Sequence, residues 1–355
     1  MEALRDHRPG LSIELFTAVP EWFFGDSLGG GFRHRGDAVD LGLVQTDALN
    51  EDLPATVAAL RGFFPFDPAR VDALAAEVTD AGCGLVLCDV APLGIAVARR
   101  AGVPSVLLEN FTWDWIYGGY RDRVPELGEV ADRMAETFAD ADLRVQTEPW
   151  CRRVDGARRV PPVSRRPRLG RRAVRERLGV PETAPLVLVT MGGIRWDYAG
   201  LEARLGGVGG GGGDAATGDV ANGGTWLVIP GAADEPRRYG RAVCLPHRSG
   251  FHHPDLVAAA DAVIGKLGYS TLAEVHRAGV PYGYVPRPGF PESEVLEAWV
   301  RAHLPHRRIP GESFVAGHWL DDLDPLLALP RRPPPTTDGA DQAARLALDL
   351  AGEGR

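Results

Sequence analysis

Short runs of uninterrupted apolar residues, each followed by a turn and a helical stretch, constrain this chain more than any other feature. "CGLVLCDV" (83–90), "SVLLEN" (105–110), "PLVLVTMGG" (185–193), "TWLVIPG" (225–231) and "RAVCLPH" (241–247) have this form. A strand with one wet face alternates apolar and polar residues, whereas a run that is apolar throughout suits a strand covered on both faces. Such strands separated by helices make a parallel sheet, because a parallel neighbour requires a crossover connection. "LSIELFTA" (11–18) and "AVDLGLVQ" (38–45) read as further strands, and "LRVQTE" (143–148) as the last strand of this half. Residues 51–62, 67–82, 92–101 and 125–140 read as helices; in the second, Val71, Leu74, Ala75 and Val78 recur at helical spacing.

Between 151 and 172 periodicity gives way to Arg- and Pro-rich sequence, and then the α/β alternation resumes. With 355 residues the chain has room for two domains. The division is residues 1–150, a connection over 151–180, a second domain over 181–330, and a Pro-rich linker with a final amphipathic helix over 331–355. The basic run 165–172 reads as a solvated linker, with a phosphate patch as the alternative. The tract "GGVGGGGGDAATG" (206–218) reads as a surface insertion, since no strand enters it and no Gly-Lys-Ser/Thr closes it. "GHWLDDLDPLLAL" (317–329) reads as a late helix.

The net charge of −9 argues against a nucleic-acid surface. Four scattered cysteines, Cys83, Cys88, Cys151 and Cys244, lack the spacing of a zinc site and fit free thiols, so no metal is expected. No apolar run reaches the ~20 residues that span a bilayer, and residue 1 is not followed by a signal-peptide pattern. The expectation is a cytoplasmic protein without a transmembrane segment, with peripheral membrane contact left open.

In a doubly wound sheet, ligands bind beyond the carboxyl ends of the strands. The strand "DAVIG" runs into "KLGY", and a helix opens at Ser270-Thr271. Ser270 or Thr271 would cap that helix, while its free N–H groups and dipole suit phosphate. Lys266 is the chain's single lysine, against arginine at every other Lys/Arg position. It offers a compact point charge to a phosphate. Gly268 permits close backbone approach, and Glu274, one turn on, can accept two hydrogen bonds from a ribose diol. Gly192-Gly193 make a tight turn after another strand. A plain capping box and a solvated lysine are the structural alternatives. His252 and His253 read as satisfied surface or capping side chains, with a ligand role as the alternative. In the first half, "ENFTWDWIYGGY" (109–120) surrounds Asn110, Thr112 and Asp114 with aromatics, Trp113 among them. It suits either stacking on a sugar or an aromatic plug between domains. Asp89 ends a strand as an acid/base candidate or as the cap of the next helix.

Residues 258–294 resemble the donor-binding half of GT-B glycosyltransferases. The pattern Gly-Lys-Leu-Gly-Tyr-Ser-Thr-x-x-Glu, followed by a "P…P" strand and a Glu-rich loop, is similar to that of bacterial glycosyltransferase-like proteins and of the GT-B-like region of plant arabinokinase. Lys266, Gly268, Tyr269, Thr271 and Glu274 carry the match, joined by Glu292, Glu294 and "GHWL" (317–320); "NFTWDWIY" resembles the other half. The resemblance implies two Rossmann-like domains facing a cleft. It implies a nucleotide-diphospho-sugar as co-substrate, with no further cofactor, and transfer of a hexose to an acceptor without a metal. Glu274 would hold the ribose. Lys266, Ser270 and Thr271 would hold the diphosphate with Gly192-Gly193 opposite, Glu292 and Glu294 would touch the sugar, and residues 110–114 would face the acceptor. A nucleotide-sugar epimerase and an inactive nucleotide-sugar-binding module are the competing expectations. The group's opening strand and Gly-His-Gly-like loop have no counterpart here. The first sheet is therefore expected to lack a central strand, through a start codon placed too late or a truncated chain, with Asp89 left as the strand-end base.

Overall fold

A computed structural model describes residues 1–193, 196–198, 201 and 224–353. The glycine tract 206–218 lies outside the described residues.

The N-terminal lobe runs α1 (Glu2–His7), β1 (Ile13–Phe16), α2 (Glu21–Leu28), β2 (Phe32–Arg35), α3 (Leu53–Phe63), α4 (Pro68–Asp80) and β3 (Val86–Asp89). It continues with α5 (Pro92–Ala101), β4 (Ser105–Glu109), α6 (Trp113–Gly118), α7 (Pro125–Ala139), β5 (Leu143–Thr147) and β6 (Arg158–Val160). Its named strands all pair in parallel, but they form two sheets, β1-β2 and β3-β4-β5-β6; a single antiparallel bridge joins Gln45 to Glu51. Both sheets share their covering layers. Phe16 of β1 and Val86 of β3 pack on the same core from α4 and α5, while Leu11 and Leu85 pack on another core.

Three expectations need correction here. Residues 38–45 are not a strand: Val39, Leu41 and Leu43 alternate onto the helical core, giving a strand-like pattern without a strand neighbour. The strand instead forms at 32–35, against β1. β3 is not covered on both faces, because it is the edge of its sheet and Leu87 is 38% exposed. Nor is β5 the last strand, since three residues of the Arg-rich connection pair with it as β6.

The C-terminal lobe comprises α8 (Arg171–Leu178), β7 (Leu186–Thr190), β8 (Trp226–Pro230), β9 (Arg237–Tyr239), β10 (Ala242–Leu245), α9 (His253–Ala259) and β11 (Ala262–Lys266). After these come α10 (Tyr269–Ala278), β12 (Tyr282–Val285), α11 (Ser293–His303), β13 (His306–Arg308), α12 (Gly311–Val315) and α13 (Asp324–Leu327). One seven-stranded sheet results, ordered β13-β12-β11-β7-β8-β10-β9, with only β9 antiparallel. Alternation along β7 divides its side chains between two cores. Leu186 and Leu188 face α8 to α11, while Val187 and Val189 face the layer holding Phe314, Trp319 and Leu320. Each apolar run is thus buried on both faces, which is why it carries no polar alternation. The stretch 317–329 is a 3-10 turn (His318–Asp322) and the four-residue α13 rather than one helix; Pro325 sits at the start of α13.

The last helix, α14 (Gly339–Glu353), returns to the N-terminal lobe and packs on α1, β5 and β6. The basic run 165–172 is a set of ion pairs rather than a solvated linker. Arg166 meets Asp6 and Asp338, Arg168 meets Glu2, Arg171 meets Asp261, and the backbone N–H groups of Arg168 and Leu169 donate to Asp255. Acidic partners in distant segments turn what reads as a charged tether into the joint between the lobes.

Candidate functional site

The site is built where β7 and β11, hydrogen-bonded neighbours, end together. Gly265 lies opposite Thr190, so their following loops emerge side by side. A Cβ at Gly265 would collide with the Thr190 carbonyl, so glycine is what allows that approach. Gly192 has φ +71, and a Cβ there would lie 3.2 Å from Lys266 Cε. The lysine side chain therefore runs directly over the glycine turn, and Thr190 Oγ1 accepts the Gly192 N–H at 3.2 Å. Gly193 is exposed.

Helix α10 opens one residue earlier than expected. Gly268, extended at φ −155 and ψ 153, is its N-cap, and no side chain caps it. Ser270 and Thr271 thus stand inside the first turn, Ser270 exposed and Thr271 buried. That leaves the first N–H groups of a ten-residue helix facing the loop that holds Lys266.

Lys266 is pulled down to about 8 by loss of water and by the Arg287 charge, against the opposing pull of Glu292. Glu292, at the N-cap of α11, is buried, stands 3.6 Å from Arg287, and its Oε2 has no hydrogen-bond partner. Burial raises its pKa against the pull of Arg287 and Lys266. Glu294 does not join them: it is exposed on the first turn of α11.

Glu274 is the best-connected residue of the group. Its Oε1 accepts from Arg165 Nε (3.0 Å) and Nη2 (2.9 Å), and its Oε2 lies 2.6 Å from His253 Nδ1. His253 Nε2 is 3.2 Å from Thr190 Oγ1, which closes a chain from Glu274 to the Gly192 turn. Burial alone would raise the carboxyl's pKa; the adjacent His253 and Arg165 outweigh it and hold Glu274 below its ordinary value. Sequence reasoning missed Arg165 and Arg287 and read His253 as a bystander. Single-sequence signals for these were weak, because their partners lie on other elements.

The aromatic segment 109–120 is a seam between lobes. Phe111 lies 5.3 Å from the Tyr269 ring, and the Tyr269 hydroxyl meets Cys151 Sγ at 2.9 Å. Asn110 donates to the carbonyls of Thr147 (2.8 Å) and Pro149 (3.2 Å). Thr112 is buried at the N-cap of α6, and Trp113 stacks on Tyr117 at 5.8 Å. Asp114 is buried; its Oδ2 meets Arg152 at 3.2 Å and its Oδ1 has no partner. Further crossings join the lobes nearby, Tyr120 Oη to Gly289 O (2.8 Å) and Arg287 Nη2 to Gln45 Oε1 (2.9 Å).

Asp89 sits apart from the donor group, at the carboxyl end of β3. Asp89 is exposed, yet the protein packed around its carboxyl and the nearby Asp40 carboxylate push it up to about 6, against the pull of the N-terminal ammonium. The next residue, Val90, is buried with φ +56, a conformation a β-branched residue rarely adopts. Strain of that kind gathers where a side chain must be aimed. Among the described residues no cluster of three metal-binding side chains occurs, and no helix is long and apolar enough to cross a membrane.

The two-lobed arrangement of mostly parallel sheets is shared with solved structures. A UDP-glucosyltransferase from Polygonum tinctorium superposes with a TM-score of 0.58 at 12% identity, over 99% of this chain and 89% of that one. The chain has the GT-B fold. Against GT-B relatives in sequence it is 25% identical over 337 residues to the L-arabinokinase of Arabidopsis thaliana, covering 90% of this chain and 30% of the relative. It is 32% identical over 197 residues to a UDP-N-acetylglucosamine–N-acetylmuramyl-(pentapeptide) pyrophosphoryl-undecaprenol N-acetylglucosamine transferase of Nocardia farcinica, covering 51% of this chain and 49% of the relative. The chain thus spans about a third and about half of the length of these curated relatives. No family model matches it.

Proposed function

We propose that this chain is a glycosyltransferase that binds a nucleotide-diphospho-sugar on its C-terminal lobe and transfers the sugar to an acceptor held against the N-terminal lobe. The observation that carries the reading is the convergence of Lys266, the Gly192 turn, the uncapped start of α10 and Glu274 at the ends of two adjacent strands. Lys266 and the helix N-terminus suit a diphosphate, Glu274 suits a ribose diol, and Glu292, with a free buried oxygen, suits a sugar hydroxyl. In such a site the lysine and the helix dipole offset the charge that develops on the departing diphosphate, so no metal is required. The names of the glucosyl- and N-acetylglucosaminyltransferase relatives favour a UDP-hexose donor. Asp89 is the proposed base for the acceptor hydroxyl, and residues 110–114 shape the acceptor wall.

Donor consumption tests this. The wild type should release UDP from a UDP-hexose in the presence of an acceptor mixture, and Lys266→Ala should not. The free buried oxygen of Glu292 also favours a second reading, a nucleotide-sugar epimerase. That reading requires a new sugar nucleotide to appear without acceptor. No turnover by either route would reject catalysis.

A further inference from the structure

The proposed ribose site already has an occupant. The Glu274 side chain is 3% exposed, and both oxygens are engaged, one by Arg165 and the other by His253. A cis-diol can take the two acceptor positions on Oε1 that Arg165 fills, while His253 keeps Oε2. His253 is fixed in the first turn of α9, ahead of Pro254. Arg165 stands on the connection between lobes, outside regular structure, with 29% of its side chain exposed. In this same position its guanidinium also lies 5.1 Å from the centre of the Phe23 ring in α2, a cation–π partner on the other lobe.

We infer that Arg165 is a tethered stand-in for the ribose, displaced when a nucleotide binds, and that the exchange favours ribonucleoside over 2′-deoxyribonucleoside diphosphates. The inference rests on the donor-site reading above. Entry of the sugar breaks two guanidinium–carboxylate hydrogen bonds. A ribose returns two hydroxyl donors to Glu274, whereas a 2′-deoxyribose returns one. The deoxy ligand leaves a buried carboxylate one hydrogen bond short, a deficit of about tenfold to a hundredfold in affinity. When Arg165 is removed, nothing has to be displaced, and ligands of both kinds bind more tightly.

Isothermal titration of UDP, 2′-deoxy-UDP, GDP and 2′-deoxy-GDP into wild type, Arg165→Ala and Arg165→Lys tests the exchange. The expected result is that the ribonucleotide of the accepted base binds wild type about tenfold or more tightly than its deoxy partner. Arg165→Ala should strengthen its binding at least about fivefold, and Arg165→Lys, which cannot fork onto one oxygen, should fall between. Weaker or unchanged binding in Arg165→Ala, with wild-type binding intact, overturns the inference and leaves the donor site standing. Equal affinity for the ribo and deoxy forms also overturns it. Absence of binding by all three folded proteins rejects the donor-site reading together with the inference. If circular dichroism finds Arg165→Ala unfolded, the sign of the change in Arg165→Lys decides.

Discussion

The two lobes treat their polar residues differently. In the C-terminal lobe one continuous sheet brings Gly192, Lys266, the start of α10 and Glu274 to a common mouth, and several groups there have hydrogen-bonding capacity to spare. In the N-terminal lobe the sheet is in two parts, and the polar residues that sequence points to are largely spent on the scaffold. Asn110 binds two backbone carbonyls, and one oxygen of Asp114 pairs with Arg152 while the other stays buried without a partner. Asp89 stands at a strand end beside a strained Val90. The difference suggests that donor recognition is built into the C-terminal sheet, while the N-terminal lobe contributes shape and one reactive carboxyl.

Asp89→Asn attacks the comparison where the effect should be largest. If Asp89 is the base, the rate falls by about a hundredfold to ten-thousandfold while donor affinity holds. The wild-type rate should rise with pH through about 6, as the carboxyl loses its proton, and then level off; the variant should lack that limb. A rate profile indifferent to Asp89 would return the lobe to a purely structural role. Glu274→Gln comes next. It keeps the shape but removes the charge that can accept from a diol, so nucleotide affinity should drop about a hundredfold, the worth of one to two charged hydrogen bonds. Titration measures this, and a thermal melt alongside it separates lost recognition from lost folding.

Gly192→Ala sharpens the contrast at a smaller scale. A residue with φ +71 strains any L side chain by about 1–2 kcal/mol. The new methyl would also press on Lys266. Donor affinity should weaken about tenfold, read by the same titration. Asn110→Ala should do the opposite of all these. It should cost about 1–3 kcal/mol in urea denaturation, through carbonyls left without a donor, and leave donor binding unchanged. A selective loss of acceptor affinity with full stability would instead make Asn110 a substrate contact.

How much of this the sequence carries depends on how local the interactions are. The inner strands of the C-terminal sheet are legible because burial on both faces writes an apolar run into each, whereas the edge strands β9 (RRY) and β13 (HRR) carry none. The loop Lys266–Glu274 is legible because its functional types fall within nine consecutive residues. Residues 38–45 mislead because alternating side chains pack on helices and so imitate a half-buried strand. Arg165 reads as a charge in a basic tether, since the carboxylate that holds it is more than a hundred positions away. Long separations likewise hide the ion pairs of Arg166, Arg168 and Arg171. Glu274 is legible as a carboxylate near a helix start, but its engagement by His253 and Arg165 is not, because both arrive from other elements.

The central claim is that the C-terminal mouth reads a diphosphate through Lys266, and titration of UDP against uridine tests it most directly. In wild type at pH 7, UDP should bind at least about tenfold more tightly than uridine. The advantage should decline as the pH rises past about 8, where the lysine of the free protein loses its charge, and it should shrink sharply in Lys266→Ala, leaving only what the start of α10 supplies. Equal affinity for UDP and uridine in wild type, or an advantage that is undiminished in Lys266→Ala, would contradict the account.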